Sequence, residues 1–285
     1  MATHNLPGEL VVIDGLDGVG KGVAIDALVK HEQEKGRTVF DVDEFSKEFD
    51  IKKFDPVKFP DNLPYPSQAH WAKYDILKTS EPTYALVGEA VRKCIIAPGS
   101  TIPGPLTAEG YGLDRAIHAQ QLVIPARAAG KDVFQSRSFA SSLAYQVEQI
   151  YDDVGKGTEA RDFILHDLFG NRYARMHCMP SLLIIPTIKN PEDLMERLKA
   201  REKQDKAKFE SLEFQLRLKP HYESDWMKEV FEKGGTVVRY IDAGISVEET
   251  RKQAVSVWED YLASRQKTAA QEPEKVAQKL YITKQ

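Results

Sequence analysis

Cysteine is almost missing from this chain, with Cys94 and Cys178 the only two among 285 residues. Two cysteines cannot frame a disulfide-held secreted domain. Neither falls in the Cys-x-x-Cys or His-x-x-x-His spacing of a zinc site, so His177 and Cys178 read as ordinary buried or half-buried residues. A basic excess is missing too. Net charge is −4, which argues against a general nucleic-acid partner while leaving room for a local phosphate pocket. No apolar run approaches the ~20 residues that span a bilayer, so no membrane partner is expected. Met1–Gly8 lacks the basic and apolar regions of a signal peptide, and a soluble, cytoplasmic protein is the expectation. No internal repeat is visible. Against these absences stands a hydrophobic content of 42%, enough to bury a sizeable core.

Strand and helix signals alternate along most of the chain. Leu10-Val11-Val12-Ile13 is a continuous apolar run suited to a strand covered on both faces. A glycine-rich turn follows, then a helix from about Lys21 to Lys35 closed by Gly36. Further strands are predicted at Thr38–Val42, Asp132–Phe134, Ser181–Ile185 and Thr236–Ile241. Asn190-Pro191 starts one helix and Val247–Leu262 forms a last long one. This rhythm implies parallel βαβ units and an α/β fold, a doubly wound five-stranded parallel sheet flanked by helices. Two stretches break it: an insertion at about residues 43–73, rich in Phe, Pro, Asp and Lys, and a polar tail at 266–285. The expected division is a domain over 1–265 that includes the insertion, followed by the tail.

Gly15-Leu16-Asp17-Gly18-Val19-Gly20-Lys21-Gly22 matches G-x-x-x-x-G-K, with glycine where Ser or Thr usually stands. Its glycines let backbone N–H groups turn toward phosphate oxygens, and the following helix adds its positive end. Lys21 then supplies a mobile charge for β- and γ-phosphates. Residues Gly15 to Val23 are therefore predicted to bind ATP phosphates. A tight turn with a merely solvated lysine is the plainer alternative, but the strand before and the helix after favour nucleotide binding. Gly22 and Val23 remove both hydroxyls that could hold Mg²⁺ here, which leaves the ion to waters, carboxylates and the nucleotide.

Beyond the loop, several short segments resemble thymidylate kinases, in the order of that family. They are Gly-Leu-Asp-Gly around Asp17; Thr79-Ser80-Glu81-Pro82 with Gly88-Glu89 and Arg92; and Leu113-Asp114-Arg115-Ala116 with His118. Ser136-Arg137-Ser138 and Ser141-Ser142-Leu143-Ala144-Tyr145-Gln146 follow, then Gln204-Asp205, Phe209-Glu210, Phe214, Arg217 and Tyr222. The resemblance spans most of Leu10–Leu262 apart from the insertion and is nearest to archaeal-type members. It departs from the family at Ser80, where an arginine is usual, and at Ser136, where an aspartate is. The likeness implies a P-loop fold of the nucleoside monophosphate kinase kind, with ATP and Mg²⁺ as cofactors and small-molecule nucleotides as partners. The implied reaction is phosphorylation of a deoxynucleoside monophosphate, dTMP to dTDP; it leaves room for a homodimer.

The resemblance also assigns roles. It implies that Asp17 contacts the deoxyribose 3′-hydroxyl and is a candidate contact for the metal, that Tyr111 stacks on the base, and that Tyr145 lies under the sugar. Arg115, Ser142 and Gln146 would meet the base. Read without it, Asp114 and Arg115 are more simply the solvated face of an amphipathic helix, and Tyr145 a core aromatic. Arg137 stands on firmer ground: it follows a strand at its carboxyl end, where doubly wound sheets bind ligands, and a guanidinium there can grip a phosphate. Lys156 and Arg161, in a lid at about 150–162, are candidate cations for the transferring phosphoryl, with a solvated loop as the alternative. Two other readings remain open: a kinase of another nucleotide or nucleoside, and a non-catalytic nucleotide-binding relative. A GTPase switch is discounted because no Asn-Lys-x-Asp segment is present.

Overall fold

All four side chains of the first strand, β1 (Leu10–Ile13), are buried, as its unbroken apolar run requires. A computed structural model describes residues 6–48, 64–156, 158–199 and 211–282. The other strands are β2 (Val39–Asp41), β3 (Ile76–Ser80), β4 (Asp132–Ser136), β5 (Leu182–Thr187) and β6 (Val237–Asp242), ordered β2-β3-β4-β1-β5-β6. Every pairing is parallel. Among the described residues the sheet therefore has six strands, not the five expected. The missed strand is β3, whose sequence Ile-Leu-Lys-Thr-Ser is half polar and gains its order from pairing with β2 and β4.

The helices are α1 (Lys21–Glu34), α2 (Val42–Lys47), α3 (Gln68–Trp71), α4 (Leu86–Ala90), α5 (Gly104–His118), α6 (Ile124–Ala128) and α7 (Phe139–Ser141). After a π-helical turn at Ser142–Gln146 come α8 (Val147–Val154), α9 (Thr158–Asp162), α10 (Phe169–His177), α11 (Pro191–Lys199), α12 (Leu212–Tyr222), α13 (Asp225–Lys233) and α14 (Val247–Ile282). The segment expected to be an irregular insertion thus opens on a helix, α2, and closes on α3, whose Trp71 is buried in the core. Residues 49–63 of it lie outside the described residues, as do Gln204, Asp205, Phe209 and Glu210. The stretch 150–162 is largely helical, and α14 continues through the predicted tail to Ile282.

Alternation along each strand sorts the core into two layers. Leu10 and Val12 of β1 join Leu77, Val133, Leu183 and Ile185 on one face. Val11 and Ile13 join Ile76, Phe134 and Ile184 on the other, where Trp258 of α14 and Leu28 of α1 cover them. Both faces are roofed, as a parallel sheet needs. The carboxyl ends of β1 and β4 come side by side, with Ile13 paired to Ser136. That brings the glycine loop and Arg137 to one edge of the sheet.

Candidate active site

The loop between β1 and α1 takes a backbone path that its glycines permit. Gly15, Gly18 and Gly20 all have positive φ, and a Cβ on Gly15 would stand 3.2 Å from the Pro186 carbonyl oxygen. Lys21 is folded onto this loop: its Nζ donates to the carbonyls of Gly15 at 2.9 Å and Leu16 at 2.6 Å, and lies 3.6 Å from Asp17. By contrast, the position of a Gly22 side chain is open, with nothing within 4 Å.

Asp17 is the hub of the site. Its carboxylate accepts from Arg137 Nη2 and, at 3.0 Å, from the Tyr145 hydroxyl. Gln215 of α12 closes the set, accepting from the Asp17 N–H at 2.8 Å and donating to its carboxylate at 3.3 Å. Arg137 itself is held in the left-handed region, φ 69°, a conformation unusual for a side chain with a Cβ. Its guanidinium carbon lies 5.1 Å from the centre of the Tyr145 ring. Burial opposes the charge of Arg137, but Asp17, with the oxygens of Tyr145, Tyr222 and Asp14, outweighs it and raises its pKa. The structure therefore brings together Asp17, Lys21, Arg137 and Tyr145, four residues singled out from the sequence.

Beneath them, Asp14 is fully buried and accepts six hydrogen bonds. The donors are the N–H groups of Gly15, Ser138 and Ser141, the hydroxyls of Ser138 and Ser141, and Tyr222 at 2.9 Å. This carboxylate ties β1 to the turn after β4 and to α12, and so fixes where Arg137 begins.

Arg115 sits elsewhere than the plainer sequence reading supposed. It is 3% exposed and Asp114 is 1% exposed, so neither faces water. Arg115 donates to Glu81 at 2.8 Å, to Ser142 and to the Ser138 carbonyl each at 3.1 Å, and to Asn171. Asp114 accepts from the N–H and hydroxyl of Thr83. Burial pushes the Glu81 carboxyl up to about 7, although Arg115 works against the rise. Tyr111, one turn before Arg115 on α5, is half-buried; burial pushes its hydroxyl up to about 12, and Arg137 and Arg92 are both near enough to restrain that rise. Ser142 and Gln146 are buried in the same π-helical turn as Tyr145.

The two lid cations are not part of this cluster among the described residues. Lys156 is exposed, and Arg161 lies against Trp226, its guanidinium carbon 4.8 Å from the ring centre. Two members of the site carried no assigned role in the sequence: Gln215 and Arg92. Arg92 donates to the Pro82 carbonyl at 2.9 Å and to Ser80 Oγ at 3.4 Å and stacks on Tyr84, so a guanidinium lies beside Ser80, where the family's arginine is absent. The Gly-Glu-x-x-Arg spacing after Ser80 was the available signal.

A bound nucleotide fits this geometry at its phosphates. The loop glycines give the backbone the positive-φ path that such a cradle uses, with the Gly15 N–H held by Asp14, and Lys21 already lies along the loop. Mg²⁺ has a thinner donor set. Among the described residues no group of three His, Cys, Asp or Glu side chains could hold a metal ion. Asp14 is saturated and Asp17 is paired, so the ion would rest chiefly on phosphate oxygens and water, with Asp17 as the nearest side chain to share.

A family model described as thymidylate kinase matches residues 68–254. A probable thymidylate kinase of Thermococcus gammatolerans is 27% identical over 265 residues, covering 90% of this chain and 99% of its own. A thymidylate kinase of Caldicellulosiruptor saccharolyticus is 26% identical over 261 residues, covering 91% and 100%. Among solved structures, the thymidylate kinase of Candida albicans superposes with a TM-score of 0.55 at 15% identity, covering 90% of this chain and 92% of its own, a likeness of fold.

Proposed function

The chain belongs to the thymidylate kinase family, and from that premise we propose that it transfers the γ-phosphoryl of ATP to the 5′-phosphate of dTMP, giving dTDP and ADP. The observation that carries this reading is the meeting of Lys21 and Arg137 around Asp17 at the carboxyl edge of β1 and β4. Lys21 binds the ATP phosphates from the loop. Arg137 grips the acceptor phosphate, and its ion pair with Asp17 aims the guanidinium before substrate arrives. Tyr145 supports the sugar, Asp17 takes its 3′-hydroxyl, and Tyr111 offers a flat face to the base with Arg115, Ser142 and Gln146 around it. Lys156 and Arg161 add positive charge when their segment folds over the nucleotide. Mg²⁺ arriving with ATP would supply charge neutralisation during the transfer, with Asp17 the side chain placed to share in holding it.

No described helix is long and apolar enough to cross a membrane, in keeping with action on a dissolved nucleotide pool in the cytoplasm. A second copy is the natural partner. Leu106 and Leu113 of α5 and Phe169 and Met176 of α10 are all exposed on helices that pack together, an apolar face that a homodimer would cover. The experiment is a coupled assay of ATP with dTMP, dUMP, dGMP, dCMP and AMP. dTMP should give the highest kcat/KM. A clear preference for AMP or dGMP would replace the acceptor, and nucleotide binding without turnover on any of the five would mark a non-catalytic relative.

A further inference from the structure

α5 and α8, with the π-helical turn before α8, lie side by side in opposite directions. Two contacts set the register. At one end the Gly104 N–H donates to Asp153 at 2.6 Å, and a Cβ on Gly104 would stand 3.2 Å from Gln149 Cγ. At the other, Arg115 donates to Ser142 at 3.1 Å. Between those ends α5 carries Thr107 and Tyr111, at helical spacing from both Gly104 and Arg115. The facing chain carries Gln146 and Gln149, at helical spacing from Ser142.

This seam holds a concentration of unpaired polar atoms. Thr107, Gln146 and Gln149 are 1%, 2% and 4% exposed. Thr107 Oγ1, Gln146 Oε1 and both ends of the Gln149 carboxamide find no hydrogen-bond partner among the described residues. The other such atoms belong to Trp71, His118, Arg161, Arg217 and His221, one on each. Burying polar groups without partners is unfavourable, and several of them on two helices in contact mark a place where a ligand can complete the bonding. It begins one turn from Tyr111 and continues the line Ser142–Gln146 away from the sheet.

We propose that this seam extends the acceptor's base site, with Thr107 and Gln149 as specificity-determining residues that read the polar edge of the pyrimidine beside Gln146. The inference rests on dTMP being the acceptor. A pyrimidine imide presents an N–H between two carbonyl oxygens. The Gln149 carboxamide matches half of that edge, Oε1 accepting from the ring N–H while Nε2 donates to the neighbouring carbonyl. The Thr107 hydroxyl then supplies a donor to a base oxygen, and Gln146 Oε1 remains as an acceptor for a bound water. A site built from paired donors and acceptors discriminates strongly, because a ligand lacking them leaves buried groups unmatched.

The test compares wild-type protein with Gln149→Leu and Thr107→Val, both close to isosteric. The readouts are steady-state kinetics with dTMP and ATP, calorimetric binding of dTMP, and thermal melting. Removing an unpaired buried group should leave melting at or above the wild-type value, so folding does not confound the kinetics. Gln149→Leu should raise KM and Kd for dTMP by about tenfold or more, and Thr107→Val by about threefold or more, with the KM for ATP unchanged. Wild-type values of dTMP KM and Kd in both variants would overturn the seam as a binding site. Failure of the acceptor reading looks different: wild-type protein itself then neither turns over nor binds dTMP, and this inference falls with it.

Discussion

At the scale of single residues, Arg137 and Lys21 carry opposite ends of the reaction, and their loss should separate. Arg137→Ala removes a charge-assisted grip on the acceptor phosphate, worth roughly 1.5–3 kcal/mol. KM for dTMP should rise by about ten- to a hundredfold and kcat should fall, with ATP affinity little changed, as read from initial rates under varied nucleotide. A defect confined to ATP would move Arg137 out of the acceptor site. Magnesium is the other residue-scale question. Gly22 has open space where a side chain would stand, so Gly22→Ser can restore the hydroxyl that loops of this kind usually give to the ion. Ser136→Asp restores a carboxylate at the end of β4, one residue from Arg137. Each should increase the rate at limiting Mg²⁺ and change it little at saturation. A Mg²⁺ titration that superposes on wild type would show that the ion needs neither group.

The glycine loop was legible because its geometry is local: spacing, a preceding apolar strand and a following helix suffice. Asp14 was not legible as a hub. Its partners Ser138 and Tyr222 lie 124 and 208 residues away in sequence, and only the folded sheet brings them together. Gln215, 198 residues from Asp17, was hidden for the same reason. Arg115 was misjudged when read alone, because a helical charge reads as solvated unless its buried acceptors, Glu81 and Asn171, are known.

At the scale of elements, β3 shows what pattern reading loses: five residues with Lys78 and Thr79 among them carry too little apolar signal, and neighbouring strands decide. Helix packing is more demanding. A Cβ on Gly170 of α10 would stand 1.8 Å from the Gly112 carbonyl oxygen of α5, so backbone meets backbone there. Gly170→Ala must push the two helices apart and should cost about 3 kcal/mol, read as a lower melting temperature with a parallel loss of dTMP affinity. Unchanged melting would show that α10 is free to shift.

The β3–α5 contact also sets a pH dependence. His118 is fully buried beside Thr79, and burial, assisted by Arg115, pushes its pKa down to about 3. The unfolded chain then takes up the proton first, so stability is lost as pH falls from about 6.5. Glu81 works in the other sense. Its raised pKa makes the folded state hold a proton more tightly than the unfolded one. That contribution is full below the unfolded value and is lost as pH rises through about 7. In denaturant melts between about pH 4 and pH 8, His118→Gln should flatten the acid limb and Glu81→Gln the limb approaching neutrality. Identical profiles for wild type and both variants would remove these two groups from the account.

At the scale of the whole molecule, the doubly wound sheet places the nucleotide loop in the middle of the strand order and the acceptor residues on the strand beside it. Phosphoryl donor and acceptor are thereby brought to one edge, and α5, α8 and α12 close over it. The division of labour among strands was readable from the alternation of apolar runs and helical periods; the closure was not, since it depends on contacts between helices distant in sequence. The most direct test of the account is phosphorus NMR of the protein with ATP, Mg²⁺ and dTMP. The account predicts that the resonances of dTDP and ADP grow in step as those of ATP and dTMP decline, and that Lys21→Ala, folded by its melting curve, abolishes both. ATP consumed without dTDP appearing, or an unreacted mixture in which ATP and dTMP are both bound, would contradict it.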